Sequence, residues 1–402
     1  MHDQVAYDPL DPAFLDDPYP GYRVLRDRDP VHHHAEPEFW ALSRFADVWT
    51  AVRDTVAFSS ASGLTFWPDE IARLGLAPTI VMLDPPRHTE LRRLIGQGFS
   101  PRRVRALEHR IREFVVRRIV DMQRKAAAGE PVDLHRDFSS PLPTYVLGEL
   151  LGVPLADRAR FDGWVQALVR IQNDGFSLGS AADGRQAVGE MFGYFTDAIA
   201  RHRADPTDNL LSALIAAEVG GERLTDWDIL GFCFVMVAGG NDTTGNLISH
   251  GVLLLDDDHA QRERLVADPS LIPGALLEFL RLEGSVQGLA RTTTRPVSPH
   301  GVDIPEGAKV MLLYGAANRD EREFGDTAER LDITRPIRRH LGFANGPHFC
   351  IGSHLAQLQA RVAFEELLAR QPTIGVDVAA GRRLHSSFTR GWISLPATGM
   401  RP

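Results

Sequence analysis

One stretch constrains this chain more than any other: Asp226 to Leu255, which reads as a helix with no polar side. Thr225-Asp226-Trp227-Asp228 is a capping box, so the helix starts there. The run from Ile229 to Gly240 carries no charge and is apolar all round. A helix without a polar face must be enclosed. The run is shorter than the roughly 18 apolar residues a membrane span needs, so it predicts a helix buried in a large core. Its centre, Gly239-Gly240-Asn241-Asp242-Thr243-Thr244, is a poor choice for packing alone. Two glycines there cost about 2 kcal/mol relative to alanine, and a buried aspartate costs more unless it is partnered. Thr243 is spaced to donate back to the Gly239 carbonyl and loosen the helix. A purely structural helix would have little use for these residues.

The rest of the chain supplies the body around such a helix. It has 402 residues, 44% hydrophobic and 24% charged, as in ordinary globular proteins. Residues 1–58 mix Pro-rich turns with short apolar runs, and residues 59–86 read as a long, partly irregular connection. Helical patterning dominates from Glu90 to about residue 283, and strand-like pieces occupy 285–313. A last helix runs from about Ser353 to Arg370, with Leu355, Leu358, Val362 and Leu367 on one face, and short strands follow. The expectation is a mainly α protein with a minor β region, residues 1–402 forming one domain. The net charge of −9 argues against nucleic-acid binding. Two cysteines, Cys233 and Cys350, exclude a disulfide scaffold and suit a reducing cytoplasm. The N-terminus lacks a signal-peptide pattern, so a cytoplasmic protein without a membrane anchor is expected. Lysine occurs only at Lys125 and Lys309, which leaves few candidates for Schiff-base chemistry.

The sharpest local signal is Phe343-Ala344-Asn345-Gly346-Pro347-His348-Phe349-Cys350-Ile351-Gly352. Taken alone, Cys350 has two readings. It is a small buried apolar residue, or it is a thiolate. A helix N-terminus and glycine-exposed N–H groups would stabilise the negative sulfur.

The surrounding pattern favours the second reading. It resembles the haem-binding loop of the cytochrome P-450 family, Phe-x-x-Gly-x-His-x-Cys-x-Gly, with Phe343, Gly346, His348, Cys350 and Gly352 in place. Ala344 stands where the family usually has glycine. The resemblance implies haem b held through the Cys350 thiolate, whose electron donation to iron favours O–O cleavage. It also implies the family's triangular, helix-rich prism around one haem. The 226–255 run matches the family's oxygen-activation helix with its Gly-x-Asp/Glu-Thr-Thr pattern, and Asp17-Pro18-Tyr19-Pro20, Ala317-Asn318-Arg319-Asp320 and Leu341-Gly342-Phe343 suit bacterial members. By this resemblance Asp242 and Thr243 relay protons to dioxygen, Thr243 by holding a water, and Gly239 leaves room beside the iron. Glu278 and Arg281, on one helix face, match the family's Glu-x-x-Arg pair. Arg330 matches the third member of that network, with Leu331 where phenylalanine is usual. The network is read as structural, holding the cysteine loop. Arg92, Arg291, His348 and His88 are implied partners of the haem propionates.

Residues 87–125 hold twelve Arg/Lys against four acids. In the family this region borders the face where the electron donor docks, so a basic patch would steer an acidic ferredoxin. Arg338 and Arg339 would add to it, while Gln357 stands where arginine is often found. The short tail after Gly352 leaves no room for a fused reductase, so a separate ferredoxin and an NAD(P)H-dependent ferredoxin reductase are implied. Pocket walls by resemblance are Leu64, Phe66, Trp67, Leu168, Phe176, Ala238, Val286, Leu289 and Phe388. None of these is charged, which favours an apolar substrate such as a terpenoid, fatty acid, steroid or polyketide. The expected protein is a monomeric haem-thiolate monooxygenase. Two alternatives are an H2O2-dependent peroxygenase and a haem-binding sensor or carrier, and the intact Asp242–Thr243 pair speaks against both. Three features are discounted. His32-His33-His34 would alternate across a strand and converge poorly on a metal. Cys233 reads as core. Asp256-Asp257-Asp258 reads as a solvated helix end.

Overall fold

The computed structural model describes residues 7–401, apart from 69, 71–77, 159, 162, 165–166 and 168–177. Leu168 and Phe176, expected in the pocket wall, lie outside the described residues.

The body is helical. Its main members are α1 (Arg87–Gly98), α2 (Pro101–Ala106), α3 (Glu108–Ala127), α4 (Pro141–Leu151), α5 (Leu178–Ala204), α6 (Asp226–Gly240), α7 (Asp242–Asp257), α8 (Ile272–Leu282) and α9 (Ser353–Arg370). On α3 the buried residues Ile111, Val115, Ile119 and Met122 recur at helical spacing and form one stripe. That stripe packs toward α9, whose Leu355, Leu358, Val362 and Leu367 are buried. Ion pairs rim the contact: Arg112 to Glu365 at 2.6 Å and Arg361 to Glu108 at 2.8 Å. Because α9 begins directly after Gly352, this packing fixes where the cysteine loop ends.

The apolar stretch is buried as expected, but it is two helices rather than one. The capping box forms at its start: Asp228 N–H donates to Thr225 Oγ1 at 3.1 Å, and Thr225 N–H to Asp228 Oδ2 at 2.9 Å. The break falls at Asn241 (φ −82°, ψ −60°), between α6 and α7. The Asp256–Asp258 end is not simply solvated. Asp256 accepts from the N–H of Val376 at 3.0 Å and from Arg262 at 3.2 Å, because the C-terminal strands pack back onto α7.

The minor β region is a five-stranded sheet of β1 (Val31–Ala35), β2 (Glu38–Leu42), β3 (Phe58–Ser59), β4 (Leu289–Thr293) and β5 (Lys309–Leu312), ordered β1-β2-β5-β4-β3. Only the β2–β5 pair is parallel. The alternation of β1 turns His33 away from the other two: His32 bonds Asp29 and His34 bonds the Pro37 carbonyl on one face, while His33 lies over Trp40 on the other. Under the sheet's other strands Phe66 stacks on Phe39, ring centres 4.6 Å apart, within an N-terminal aromatic core. Cys233 is fully buried, and burial pushes its thiol up to about 12.

Candidate functional site

The cysteine loop is shaped by backbone requirements. Ala344 and Gly346 both take left-handed conformations, φ +53° and +71°. Gly346 cannot carry a side chain, since a Cβ there would lie 2.8 Å from the Val52 carbonyl oxygen. Ala344 holds the same kind of conformation with a methyl group, at a cost of about 1–2 kcal/mol. The departure from glycine thus falls where glycine is the unstrained residue. Cys350 N–H donates to the Phe343 carbonyl at 3.0 Å and closes the loop. Burial raises the Cys350 thiol, while the N–H groups of Gly352 and Ser353 and the Arg92 guanidinium favour its anion.

Four basic side chains meet beside this loop. The rings of His88 and His348 lie 4.2 Å apart. Burial pushes His348 down to about 3, and Arg291, His88 and Arg92 add repulsion. Burial and Arg92 also lower His88, whose Nδ1 is buried without a partner. Arg291 is buried, donates to its neighbour's Ala290 carbonyl at 2.7 Å, and lies against the phenol of Tyr314. Arg92 donates to the Phe349 carbonyl at 2.5 Å. Among the described residues, no carboxylate pairs with Arg92, Arg291 or His348. Ser60, which the sequence reading missed, stands 3.2 Å from His348 Nε2, and Asp84 holds its N–H at 2.9 Å.

The helix break carries a second group. Thr243 Oγ1 donates to the Gly239 carbonyl at 2.9 Å, the back-bond its spacing predicts. Gly239 is exposed although Ile229–Phe234, Met236 and Val237 of the same helix are buried, and a Cβ on it would meet nothing within 4 Å. Open space therefore lies against it. Burial pushes the Asp242 carboxyl up to about 6, with Asn246 pulling the other way. Ser285, also missed, donates to the Thr243 carbonyl at 2.9 Å. From that anchor the chain runs through Val286, which bridges Thr389, to Arg291. Gln287 N–H takes the Phe388 carbonyl at 2.8 Å. Segment 285–291 thus joins the helix break to the basic cluster and leaves Val286, Leu289 and Phe388 half-buried, as are Ala238 and Trp67. Phe66 is buried, stacked on Phe39 and 5.2 Å from the ring of Trp67.

The Glu-x-x-Arg pair is buried and bidentate: Arg281 donates to Glu278 at 2.7 and 2.8 Å. Arg281 also reaches the Asn318 carbonyl at 2.8 Å, and Asn318 Oδ1 accepts the Leu341 N–H at 2.7 Å, which ties the pair to the start of the cysteine loop. Here the sequence expectation needs correcting. Arg330 supplies only its carbonyl, 3.5 Å from Arg281, and its side chain is exposed. The third member is Arg335, whose guanidinium Nε is 3.1 Å from Glu278 Oε1. No spacing rule singles out Arg335. The turn at Asp332–Arg335 swings Arg335 inward and leaves Arg330 on the surface.

Much of the basic run 87–125 is paired with acids from other elements, at or near the surface. Arg87 pairs with Asp228, Arg103 with Asp208, Arg110 with Glu149, Arg112 with Glu365 and Lys125 with Asp137. Arg93, Arg102, Arg105 and Arg117 remain exposed without an ion pair among the described residues, Arg117 lying over the Phe114 ring. Arg339 is likewise committed, to Glu323 at 2.6 Å and over the rings of Phe45 and Trp49.

A cytochrome P450 family profile matches residues 266–371, the span holding the Glu-x-x-Arg pair and the cysteine loop. Cytochrome P450 130 of Mycobacterium tuberculosis is 46% identical over 391 residues, 94% of each chain. The vitamin D(3) 25-hydroxylase of Pseudonocardia autotrophica is 38% identical over 394 residues, 96% of this chain and 94% of its own. Among solved structures, the cytochrome P450 PksS of the Bacillus subtilis 168 bacillaene polyketide synthase superposes with a TM-score of 0.89 at 29% identity, over 98% of this chain and all of its own. With relatives this close along nearly its whole length, and with their fold, the chain belongs to the cytochrome P450 family of monooxygenases.

Proposed function

We propose that this protein is a haem-thiolate monooxygenase in which Cys350 is the axial ligand of haem b and an apolar molecule is the substrate. The observation that carries the reading is the basic cluster beside Cys350. Arg92, Arg291 and His348 gather there with no carboxylate paired to them among the described residues, and the buried Nδ1 of His88 beside them is left orphaned. Such a cluster is costly unless an anionic group completes it, and the two propionates of haem fit that need. The N–H groups of Gly352 and Ser353 suit the sulfur to bind as thiolate. When bound, the haem supplies activation of O2 and insertion of one oxygen atom into substrate.

The chain's own residues do the rest. Asp242, with its carboxyl near 6, can hold or release a proton close to neutral pH. Thr243 keeps its hydroxyl hydrogen on the Gly239 carbonyl, so its lone pairs face the open space to hold a water. Ala238, Val286, Leu289, Phe388 and Trp67 present apolar surface that excludes bulk water. The relatives' names fit a sizeable apolar substrate: one is a vitamin D(3) 25-hydroxylase, and another belongs to a polyketide synthase. Electrons come from a ferredoxin and its NAD(P)H-dependent reductase, met at the face bearing Arg93, Arg102 and Arg105. Retention of Asp242 and Thr243 favours O2 over H2O2 as oxidant, because peroxide already carries its protons. No helix among the described residues is long and apolar enough to cross a membrane, and we place the protein in the cytoplasm as a monomer of one domain.

The test is the absorption spectrum of the dithionite-reduced, CO-treated protein. The long-wavelength Soret band of thiolate ligation, lost in Cys350→Ala, supports the reading. A band typical of histidine or neutral-thiol ligation overturns it.

A further inference from the structure

Asp242 and Thr243 begin α7 immediately after the chain breaks at Asn241, so whatever fixes Asn241 fixes where they point. Asn241 is not on the open side of the helix. It is buried at 5% exposure and turns toward α4, where Thr144, buried at 7%, donates its hydroxyl to Asn241 Oδ1 at 2.8 Å. Neither residue touches the basic cluster or the cysteine loop. The surroundings are otherwise apolar: on α4 the neighbours of Thr144 include Leu142, Val146 and Leu147, all buried, and Leu147 also packs against Gly240. An amide there without its partner would lose about 1–3 kcal/mol, and leucine would fill the space without that liability. A polar pair at this place instead selects one register of α6 and α7 against α4.

The break needs such a fix. Gly239 and Gly240 give the backbone freedom, and Thr243 weakens the local ladder by taking the Gly239 carbonyl. Two side chains then clamp the loosened segment from outside. Ser285 holds the Thr243 carbonyl on one side, and Thr144 holds Asn241 on the other.

We propose that Thr144 and Asn241 are positioning residues for proton delivery: their hydrogen bond, made on the far side of the helix from the open space, sets the orientation of Asp242 and Thr243. This rests on the reading of Asp242 and Thr243 given above. Thr144 acts only through Asn241, and Asn241 only through the backbone.

The experiment uses haem-loaded protein and two readouts. One is amide hydrogen exchange of the peptide spanning residues 239–244. The other is the pH profile of NADPH-driven O2 consumption with a surrogate plant ferredoxin and its reductase, no substrate being added. Thr144→Val keeps the side-chain shape and removes the donor. It is expected to speed exchange in that peptide at least tenfold, to leave the C-terminal half of α7 unchanged, and to shift the midpoint of the pH profile. Thr144→Ser is expected to restore both. Thr144→Val with wild-type exchange and wild-type midpoint overturns the proposal, even if its melting temperature falls. Asp242→Asn separates the two levels of inference. If it leaves the pH profile unchanged, proton delivery by Asp242 is wrong, while the exchange result still judges whether Thr144 holds the break.

Discussion

Glu278 and Arg335 meet at 3.1 Å, and the same carboxylate oxygen takes a second guanidinium from Arg281 at 2.8 Å. Glu278 is 1% exposed, so the pairing is made out of water and removing one member strands a buried charge. Arg335 also reaches the carbonyls of Phe324 and Thr327, which holds the segment leading into the cysteine loop. Arg335→Ala is expected to cost about 3 kcal/mol and to lower the haem retained per protein. Arg330→Ala removes only an exposed side chain and is expected to change stability by less than about 0.5 kcal/mol. Urea unfolding and a haem assay on both variants decide which arginine completes the network.

Ala344 gives a prediction of opposite sign. Its left-handed φ of +53° strains any residue with a Cβ, so Ala344→Gly is expected to relieve strain at the neck of the cysteine loop. Part of the gain is lost to the greater freedom of glycine in the unfolded chain, which leaves a net stabilisation of roughly 0.5–1 kcal/mol. Gly346→Ala should destabilise by more, because its Cβ would also collide with the Val52 carbonyl. Denaturant midpoints of the two variants, moving in opposite directions, are the check. Equal or like-signed shifts would mean the loop relaxes around either residue.

These two cases show what the sequence could and could not reveal. Regular features were legible, because their causes are local. The capping box at Thr225, the back-bond of Thr243 and the span Ser353–Arg370 follow from spacing alone. The cysteine loop was legible because glycine and cysteine sit at fixed offsets. Arg335, Ser285 and Ser60 were not legible, since turns bring each to its partner across long stretches of chain and no periodicity encodes that. The basic run misled in one respect. Charge can be counted in a sequence, but the acids that neutralise Arg110, Arg112 and Lys125 come from other helices.

Acid should unfold this protein in two stages. His135, on a one-turn π-helix against α7, is buried and pushed down to about 4 by that burial. It stays neutral when folded but protonates near 6.5 when unfolded. Its contribution is present above pH 6.5 and is lost as pH falls toward 4. Burial alone would raise Glu283, but Arg390, Arg319 and His250 outweigh it and hold the carboxyl down to about 2. Its contribution is present above its ordinary value of 4.5 and is lost as pH falls toward 2. Each group can add a slope of up to about 1.4 kcal/mol per pH unit within its window. His135→Gln is expected to reduce the slope in the upper window only, and Glu283→Gln chiefly in the lower one, since losing that carboxylate also withdraws support from protonated His250. Both variants will be less stable overall, so the slope of unfolding free energy against pH, rather than its value, is the readout.

The face that meets the electron donor should depend on a few arginines rather than on the whole basic run. Arg93, Arg102 and Arg105 are exposed without ion pairs among the described residues, and α2, which carries the last two, packs against α9 just beyond the cysteine loop. Phe349, next to Cys350 in the chain, is 40% exposed and offers apolar surface at the same loop. Reversing all three charges to glutamate is expected to slow reduction by an acidic ferredoxin by about 10–100-fold at low salt. The difference should shrink as added salt shortens the Debye length. Arg124→Glu, toward the far end of α3 and already paired with Asp121, should leave the rate within about twofold. Stopped-flow reduction across a salt series measures both. A triple variant with wild-type rates at low salt would move the docking face away from α1 and α2.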